Sequence, residues 1–284
     1  MLARAKVNLY LHVTGRRADG YHLLDSLIVF AETGDEIALA PADRLSLTID
    51  GPFGADLEAG PENLVLRAAH ALQDVTGTRA GAAIRLTKNL PVASGIGGGS
   101  ADAATTLDGL CGLWNVAPGR AALLQIAAKL GADVPVCLDG VPSFVGGIGE
   151  ELAPARGLPP AWLLLANPGA ATPTPAVFKA RRGPFSKPAR CSEPPRDFAE
   201  FVGRLQGCRN DLTEAAISVT PAIRDVLVAL AALPGCVLAR LSGSGATCFG
   251  LFGNEAGARA AEAKLRVDHP AWWATAAPMA TSSR

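Results

Sequence analysis

The sequence predicts an α+β protein built as two domains, on three observations. Apolar residues alternate with polar ones at strand period in several short runs and recur at helical period in others, both kinds mixed through the first half. Prolines crowd between Pro154 and Pro195, interleaved with Arg and Gly, which marks an irregular crossing between two halves. Of the 284 residues 49% are hydrophobic and 18% charged, the balance of a chain that builds a large core and does not stay disordered. The boundary falls at the start of the proline-rich stretch, giving domains of residues 1–153 and 154–284.

In the first domain the patterns predict strands near 4–14, 26–31, 35–40, 45–49 and 82–88, and helices near 63–76, 101–113 and 119–130. Within Lys6-Val7-Asn8-Leu9-Tyr10-Leu11-His12-Val13 the apolar side chains share one strand face, which leaves Lys6, Asn8, Tyr10 and His12 on the other. Lysine is scarce, at six positions among 26 basic residues, so one here suits a task that needs a compact charge with a shiftable pKa. His12 reads more simply as a satisfied histidine. In the second domain, residues 161–167 form a buried strand. Thr220 and Pro221 supply an N-cap and a first-turn proline to a helix with Ile223, Val226, Leu227 and Leu230 on one stripe, and Gly235 stops it. Strands at 236–241 and 247–252 flank a Ser-Gly-Ser-Gly turn, and an alanine-rich helix follows at 255–266.

Charge and cysteine usage exclude several classes. Lys+Arg and Asp+Glu both number 26, so no global field gathers nucleic acid or an acidic membrane, and any anion must be held by local geometry. The six cysteines show no C-x-x-C pair and no zinc-ligand spacing, which fits a reducing compartment. The first residues alternate instead of presenting a basic region and an apolar run. Residues 226–239, uncharged but broken by Pro234 and Gly235, fall short of the ~20 residues a bilayer crossing needs. A cytoplasmic protein is expected, with no nucleic-acid or membrane partner, as a monomer or homodimer.

The most informative segment is Lys88-Asn89-Leu90-Pro91-Val92-Ala93-Ser94-Gly95-Ile96-Gly97-Gly98-Gly99-Ser100-Ala101-Asp102, which joins a strand to a helix. Four glycines in five positions let the backbone approach a ligand and aim its N–H groups into one concavity. The helix that starts near Ser100 adds its free N–H groups and positive dipole end. An anion site results, suited to nucleotide phosphates. It lacks the Gly-Lys-Ser/Thr ending of a Walker loop, and no acidic residue stands about 20 positions on, as a dinucleotide site requires. Asp102, in the first helical turn, reads either as a dipole-stabilising carboxylate or as a group near magnesium.

Three segments together resemble the GHMP kinase superfamily and, within it, the 4-diphosphocytidyl-2-C-methyl-D-erythritol kinases. The first is residues 5–13 with Arg17-Ala18-Asp19-Gly20-Tyr21-His22; the second is the Pro91 to Ala104 loop; the third is Leu241-Ser242-Gly243-Ser244-Gly245-Ala246-Thr247-Cys248-Phe249. Small departures are Ile96 for the usual Leu, Leu241 for the usual Met, and Leu23 where an acidic residue commonly stands. The resemblance implies a two-domain GHMP kinase fold with the active site in the cleft between domains. It implies ATP bound by residues 91–102 together with Mg²⁺, for which Ser100 and Asp102 are the nearest candidates. It also implies a small-molecule substrate carrying cytidine diphosphate. Asp133, in Gly131-Ala132-Asp133-Val134-Pro135, would be the general base and Lys6 its assistant. Asn8, Tyr21, His22, Thr174 and Phe178 would bind the substrate, with Gly243, Ser244 and Gly245 beside it.

Overall fold

The computed structural model describes residues 1–191 and 193–280. The chain runs β1 (Leu2–Arg16), β2 (His22–Ala42), β3 (Ser46–Asp50), α1 (Leu64–Thr76), β4 (Gly81–Thr87), α2 (Gly98–Leu113), α3 (Arg120–Leu130), α4 (Val134–Asp139), β5 (Ser143–Gly147) and β6 (Glu151–Pro154). It continues with β7 (Trp162–Asn167), α5 (Thr174–Ala180), α6 (Phe198–Gln206), α7 (Thr213–Val219), α8 (Ala222–Ala231), β8 (Leu238–Leu241), β9 (Cys248–Phe252), α9 (Glu255–Asp268) and β10 (Trp273–Pro278). The α+β class predicted from the sequence holds.

Two compact units emerge, but no single cut near 154 separates them. One gathers Met1–Ala5, Thr33–Val92 and Gly97–Gly140; the other gathers Lys6–Glu32, Ala93–Ile96 and the chain from Val141 onward. In the first unit the later half of β2 pairs antiparallel with β4, Glu36 opposite Thr87 through Ala42 opposite Gly81, and β3 joins β4 in parallel. Helices α1, α2, α3 and α4 pack against one another. In the second unit the early half of β2 pairs with β5, which pairs with β6. A second sheet, in the order β10-β7-β9-β8, is antiparallel throughout, and α8 and α9 lie against it. Leu164, Leu230, Leu241, Phe252 and Leu265 are among the residues that fill its core.

The differences from the sequence reading have physical causes. Two strands predicted at 26–31 and 35–40 are one strand, because Gly34 does not break it. A Cβ at Gly34 would overlap the Ala3 carbonyl, so glycine is there to let two backbones touch. Helix α2 starts at Gly98, inside the glycine cluster, where a Cβ would lie 2.9 Å from the Lys88 Nζ. Thr220 does not cap α8; its hydroxyl is buried and bonds Thr172 Oγ1 at 2.9 Å, and Pro221 occupies the cap. The strand expected at 161–167 is β7, and the proline-rich stretch is more regular than expected in that it also holds α5. Helix α6 escaped notice although Asp197 caps the Glu200 N–H at 2.8 Å, a signal readable as Asp-x-x-Glu.

Among the described residues no helix is long and apolar enough to cross a membrane. Gly34→Ala should destabilise the fold by about 1–3 kcal/mol, the scale of overpacking a closed contact, as measured by guanidinium unfolding. An unchanged midpoint would show that β1 and β2 can separate freely at Ala3.

Candidate active site

In the second unit β1 is buried along both faces, so its polar side chains belong to an interior. Lys6 is 4% exposed, and its main-chain N–H donates to the Ile96 carbonyl at 2.9 Å, which ties the residue to the glycine loop. Asn8 is equally buried. Its Nδ2 donates to Ser26 Oγ at 2.8 Å, while the Ser26 hydroxyl donates to the Tyr10 carbonyl at 2.5 Å. The Ser26 proton is therefore spent, the Asn8 amide has one sensible orientation, and its Oδ1 is left buried without a donor. Such an acceptor invites a ligand hydroxyl. His12 is satisfied, as read: Nε2 accepts from the Arg209 N–H at 3.2 Å, so Nδ1 carries the proton donated to the Lys187 carbonyl at 3.0 Å.

The two glycine motifs meet backbone to backbone in this unit. Ser242 Oγ accepts the Asn8 N–H and donates to the Gly95 carbonyl, both at 3.1 Å, and the Thr247 N–H reaches the Ser94 carbonyl at 3.0 Å. A Cβ at Gly95 (φ +77°) would stand 2.6 Å from the Ser242 carbonyl oxygen, and one at Gly243 (φ +55°) 2.8 Å from that of Gly95. Asn210 Nδ2 bonds the Leu241 and Gly243 carbonyls and fixes the turn. Ser244 and Thr174 share a hydroxyl hydrogen bond of 2.7 Å, bringing together two residues singled out separately. The rings of His22 and Phe178 stack, centroids 5.1 Å apart at 29°, whereas Tyr21 is 62% exposed and outside that stack. Burial first, and then the charges of Arg16 and Arg181, hold His22 below the usual imidazole range.

In the first unit Gly97 caps α2 with φ +65°, and no side chain caps it. The free N–H groups of its first turn thus stand ready for an anion, as in other glycine loops that open a helix. Asp133 directly precedes α4, is half-buried, and its side chain makes no cap bond to the helix. Nearby in sequence to the loop lies a network that sequence reading missed. Lys88 Nζ pairs with Asp35 Oδ2 and, at 2.9 Å, with Asp102 Oδ2, all three side chains being buried. Asp35 Oδ1 also accepts the N–H groups of Asn89 and Leu90 at 2.6 and 2.8 Å. One lysine therefore links the entry of the glycine loop to the helix that leaves it, just past its first turn. Lys88 was within the quoted segment, but its partner Asp35 lies 53 residues away and no local pattern announces it.

Asp102 Oδ2 faces the Lys88 ammonium at 2.9 Å in a buried pocket, while Asp102 Oδ1 is buried without a hydrogen-bond partner. Among the described residues no group of three or more His, Cys, Asp or Glu could hold a metal ion. Burial, opposed by the Lys88 charge and reinforced by Asp35, pushes the Asp102 carboxyl from 3.8 up to about 7.

Comparison with known proteins places this arrangement. Residues 63–141 match the family model described as GHMP kinases N terminal domain, and residues 195–268 match GHMP kinases C terminal. The 4-diphosphocytidyl-2-C-methyl-D-erythritol kinase of Paramagnetospirillum magneticum is 57% identical over 271 residues, 95% of each chain. That of Rhodospirillum rubrum is 54% identical over 96% of this chain and 90% of its own. A crystal structure of 4-(cytidine 5'-diphospho)-2C-methyl-D-erythritol kinase superposes with a TM-score of 0.82 at 34% identity, over 99% of both chains. Homoserine kinase from Cytophaga hutchinsonii, at 16% identity and TM-score 0.64, shares the fold. Fold and site define a small-molecule kinase of the GHMP class. Within that class the chain belongs to the 4-diphosphocytidyl-2-C-methyl-D-erythritol kinase family.

The raised Asp102 value has a testable sign. Between 3.8 and about 7 the folded chain binds more protons at this group than the unfolded chain. The stability it contributes is complete at the acid end and is lost as pH rises through about 7. Asp102→Asn should therefore flatten the fall in unfolding midpoint between about pH 4 and 7, read by denaturant titration at a series of pH values. Parallel wild-type and variant profiles would show that Asp102 does not titrate there.

Proposed function

We propose that this protein is an ATP-dependent kinase that phosphorylates the 2-hydroxyl of 4-diphosphocytidyl-2-C-methyl-D-erythritol, giving the 2-phosphate on the non-mevalonate route to isoprenoids. The observation that carries the reading is identity above half, over 95% of the chain, to kinases named for that substrate.

On this reading the amides of residues 91–102 receive the nucleotide phosphates. Transfer of a phosphoryl group needs positioning and charge neutralisation more than covalent help, because its charge spreads over three oxygens. Asp133 accepts the proton of the substrate hydroxyl as that oxygen attacks the γ-phosphorus, the bond to the β-phosphate oxygen breaks, and ADP leaves. Lys6 steadies the developing alkoxide. Asn8 Oδ1, buried without a donor, takes a substrate hydroxyl proton. Tyr21 and Phe178 stack on the cytosine, His22 reads its polar edge, and Thr174 with Gly243, Ser244 and Gly245 borders the substrate. The depressed value of His22 keeps the imidazole uncharged at neutral pH, which suits hydrogen bonding to a neutral base. Mg²⁺ bound with the nucleotide would neutralise the charge of its phosphates, with Ser100 and Asp102 the nearest side chains to help hold it. The family domains divide the chain at 153/154 on this reading, and the cytoplasm is its compartment.

Purified protein should release ADP with this substrate and leave mevalonate and homoserine unreacted; the opposite preference would move it to another branch of the superfamily. Asp133→Ala should lower kcat by at least about 10²-fold with the KM for ATP little changed. Tyr21→Ala should act on KM for the cytidine substrate, since base stacking contributes roughly 1–3 kcal/mol.

A further inference from the structure

An amide side chain presents a donor and an acceptor of nearly the same shape and opposite chemistry, so Asn8 could offer either one to a ligand. Its main chain leaves no choice, since the Asn8 N–H donates to Ser242 Oγ at 3.1 Å and Ser242 donates in turn to the Gly95 carbonyl. What remains to be set is which way the amide turns.

Ser26 sets it. This residue lies on β2, the strand that pairs with β1, and is 1% exposed. Its hydroxyl has one proton, and the Tyr10 carbonyl, which can only accept, receives it at 2.5 Å. Toward Asn8 the Ser26 oxygen therefore has lone pairs alone to offer, and the 2.8 Å bond between them is donated by Asn8 Nδ2. Turning the amide over would set two acceptors face to face in a buried place, with a hydrogen bond lost and none gained. Asn8 Oδ1 is thereby directed away from Ser26. It has no hydrogen-bond partner among the described residues, and it lies at the second glycine motif, 3.5 Å from the point that a Cβ at Gly243 would occupy. A ligand group that meets Oδ1 there must donate, as a hydroxyl does and an ether or ionised phosphate oxygen does not.

We propose that Ser26 is a positioning residue of the kinase: by accepting from Nδ2 it keeps Asn8 Oδ1 presented to a substrate hydroxyl, a role that rests on the reading of Asn8 as a substrate-binding residue. The direction of one proton on β2, toward Tyr10 and away from Asn8, thus decides the chemistry of an atom on β1.

A double-mutant cycle on kcat/KM for 4-diphosphocytidyl-2-C-methyl-D-erythritol separates this role from a structural one. Ser26→Ala removes the acceptor and should lower kcat/KM by about tenfold, the scale of one buried hydrogen bond, through KM for this substrate and with the KM for ATP unchanged. Asn8→Ala should lower it at least as far. In the Asn8→Ala background the same Ser26→Ala change should cost less than about twofold, because the amide it orients is gone. Ser26→Thr keeps the hydroxyl and should recover most of the loss. Unfolding midpoints report the structural cost separately, since the Tyr10 carbonyl loses its donor in Ser26→Ala whether or not Asn8 is present. Equal losses from Ser26→Ala in both backgrounds, or wild-type kinetics in Ser26→Ala beside an impaired Asn8→Ala, overturn the assignment and leave the kinase reading intact. An Asn8→Ala enzyme as active as the wild type removes Asn8 from the substrate pocket, and Ser26 with it.

Discussion

Much of the second unit depends on one close approach, that of the Gly95 backbone to the turn at Ser242–Gly245. Main chains packed this tightly leave no room for a Cβ at Gly95 or Gly243, and both glycines also hold left-handed φ values. Because nothing but backbone stands there, Ser242 can bond Asn8 and Gly95 at once, and the Ser94 carbonyl can receive the Thr247 N–H. The consequence reaches β1: with Asn8 held by its main chain and Lys6 bonded to Ile96, the strand that carries both polar side chains is set by the same contact. Two glycine clusters 150 residues apart in sequence thus serve one joint, and only one of them also opens a helix.

The parts of this that sequence could reveal are the local ones. Period-two alternation disclosed β1 and its Lys6–Asn8 face, and the run of glycines between a strand and a helix disclosed an anion site, because each signal lies within a few residues. What escaped was set by distance. Gly34 reads as a strand breaker until Ala3 is seen against it, and Lys88 reads as an ordinary strand-end lysine until Asp35 and Asp102 close on it. Asp102 illustrates the limit well: its position at a helix N-terminus suggested a dipole or a cation, whereas a lysine 14 residues earlier has claimed it. The orientation of the Asn8 amide was equally hidden, since it follows from where the Ser26 proton goes.

Neutral composition implied that an anion must be held locally, and on the proposed reading the glycine loop does so. At the glycine loop the donors are amides, which carry no net charge and cost no desolvation of an ion. The stretch between Glu151 and Glu193, by contrast, carries six basic side chains and no carboxylate. Amides arranged on a rigid turn discriminate by shape and suit a group that must be positioned to react.

Backbone bonds explain why this basic segment can be irregular while remaining in place. Its turn at 186–189 is held from beneath by β1 and β2: the Ser186 N–H reaches the Val13 carbonyl at 2.9 Å, and the Ala189 N–H reaches Asp25 Oδ2 at 2.6 Å. Asp25 in turn accepts the Tyr10 hydroxyl at 3.1 Å, and Asp211 takes the Ser186 hydroxyl at 2.6 Å and the Val13 N–H at 2.7 Å. Acidic groups therefore hold this segment through its backbone and a hydroxyl, and Asp25 also faces the Arg190 guanidinium at 4.0 Å. Among the described residues the guanidinium groups of Arg181 and Arg16 bond backbone carbonyls and no carboxylate. A carboxylate placed opposite Arg181 would anchor the segment no better than these backbone bonds do, because an ion pair at the surface adds little to a chain already held by its main chain.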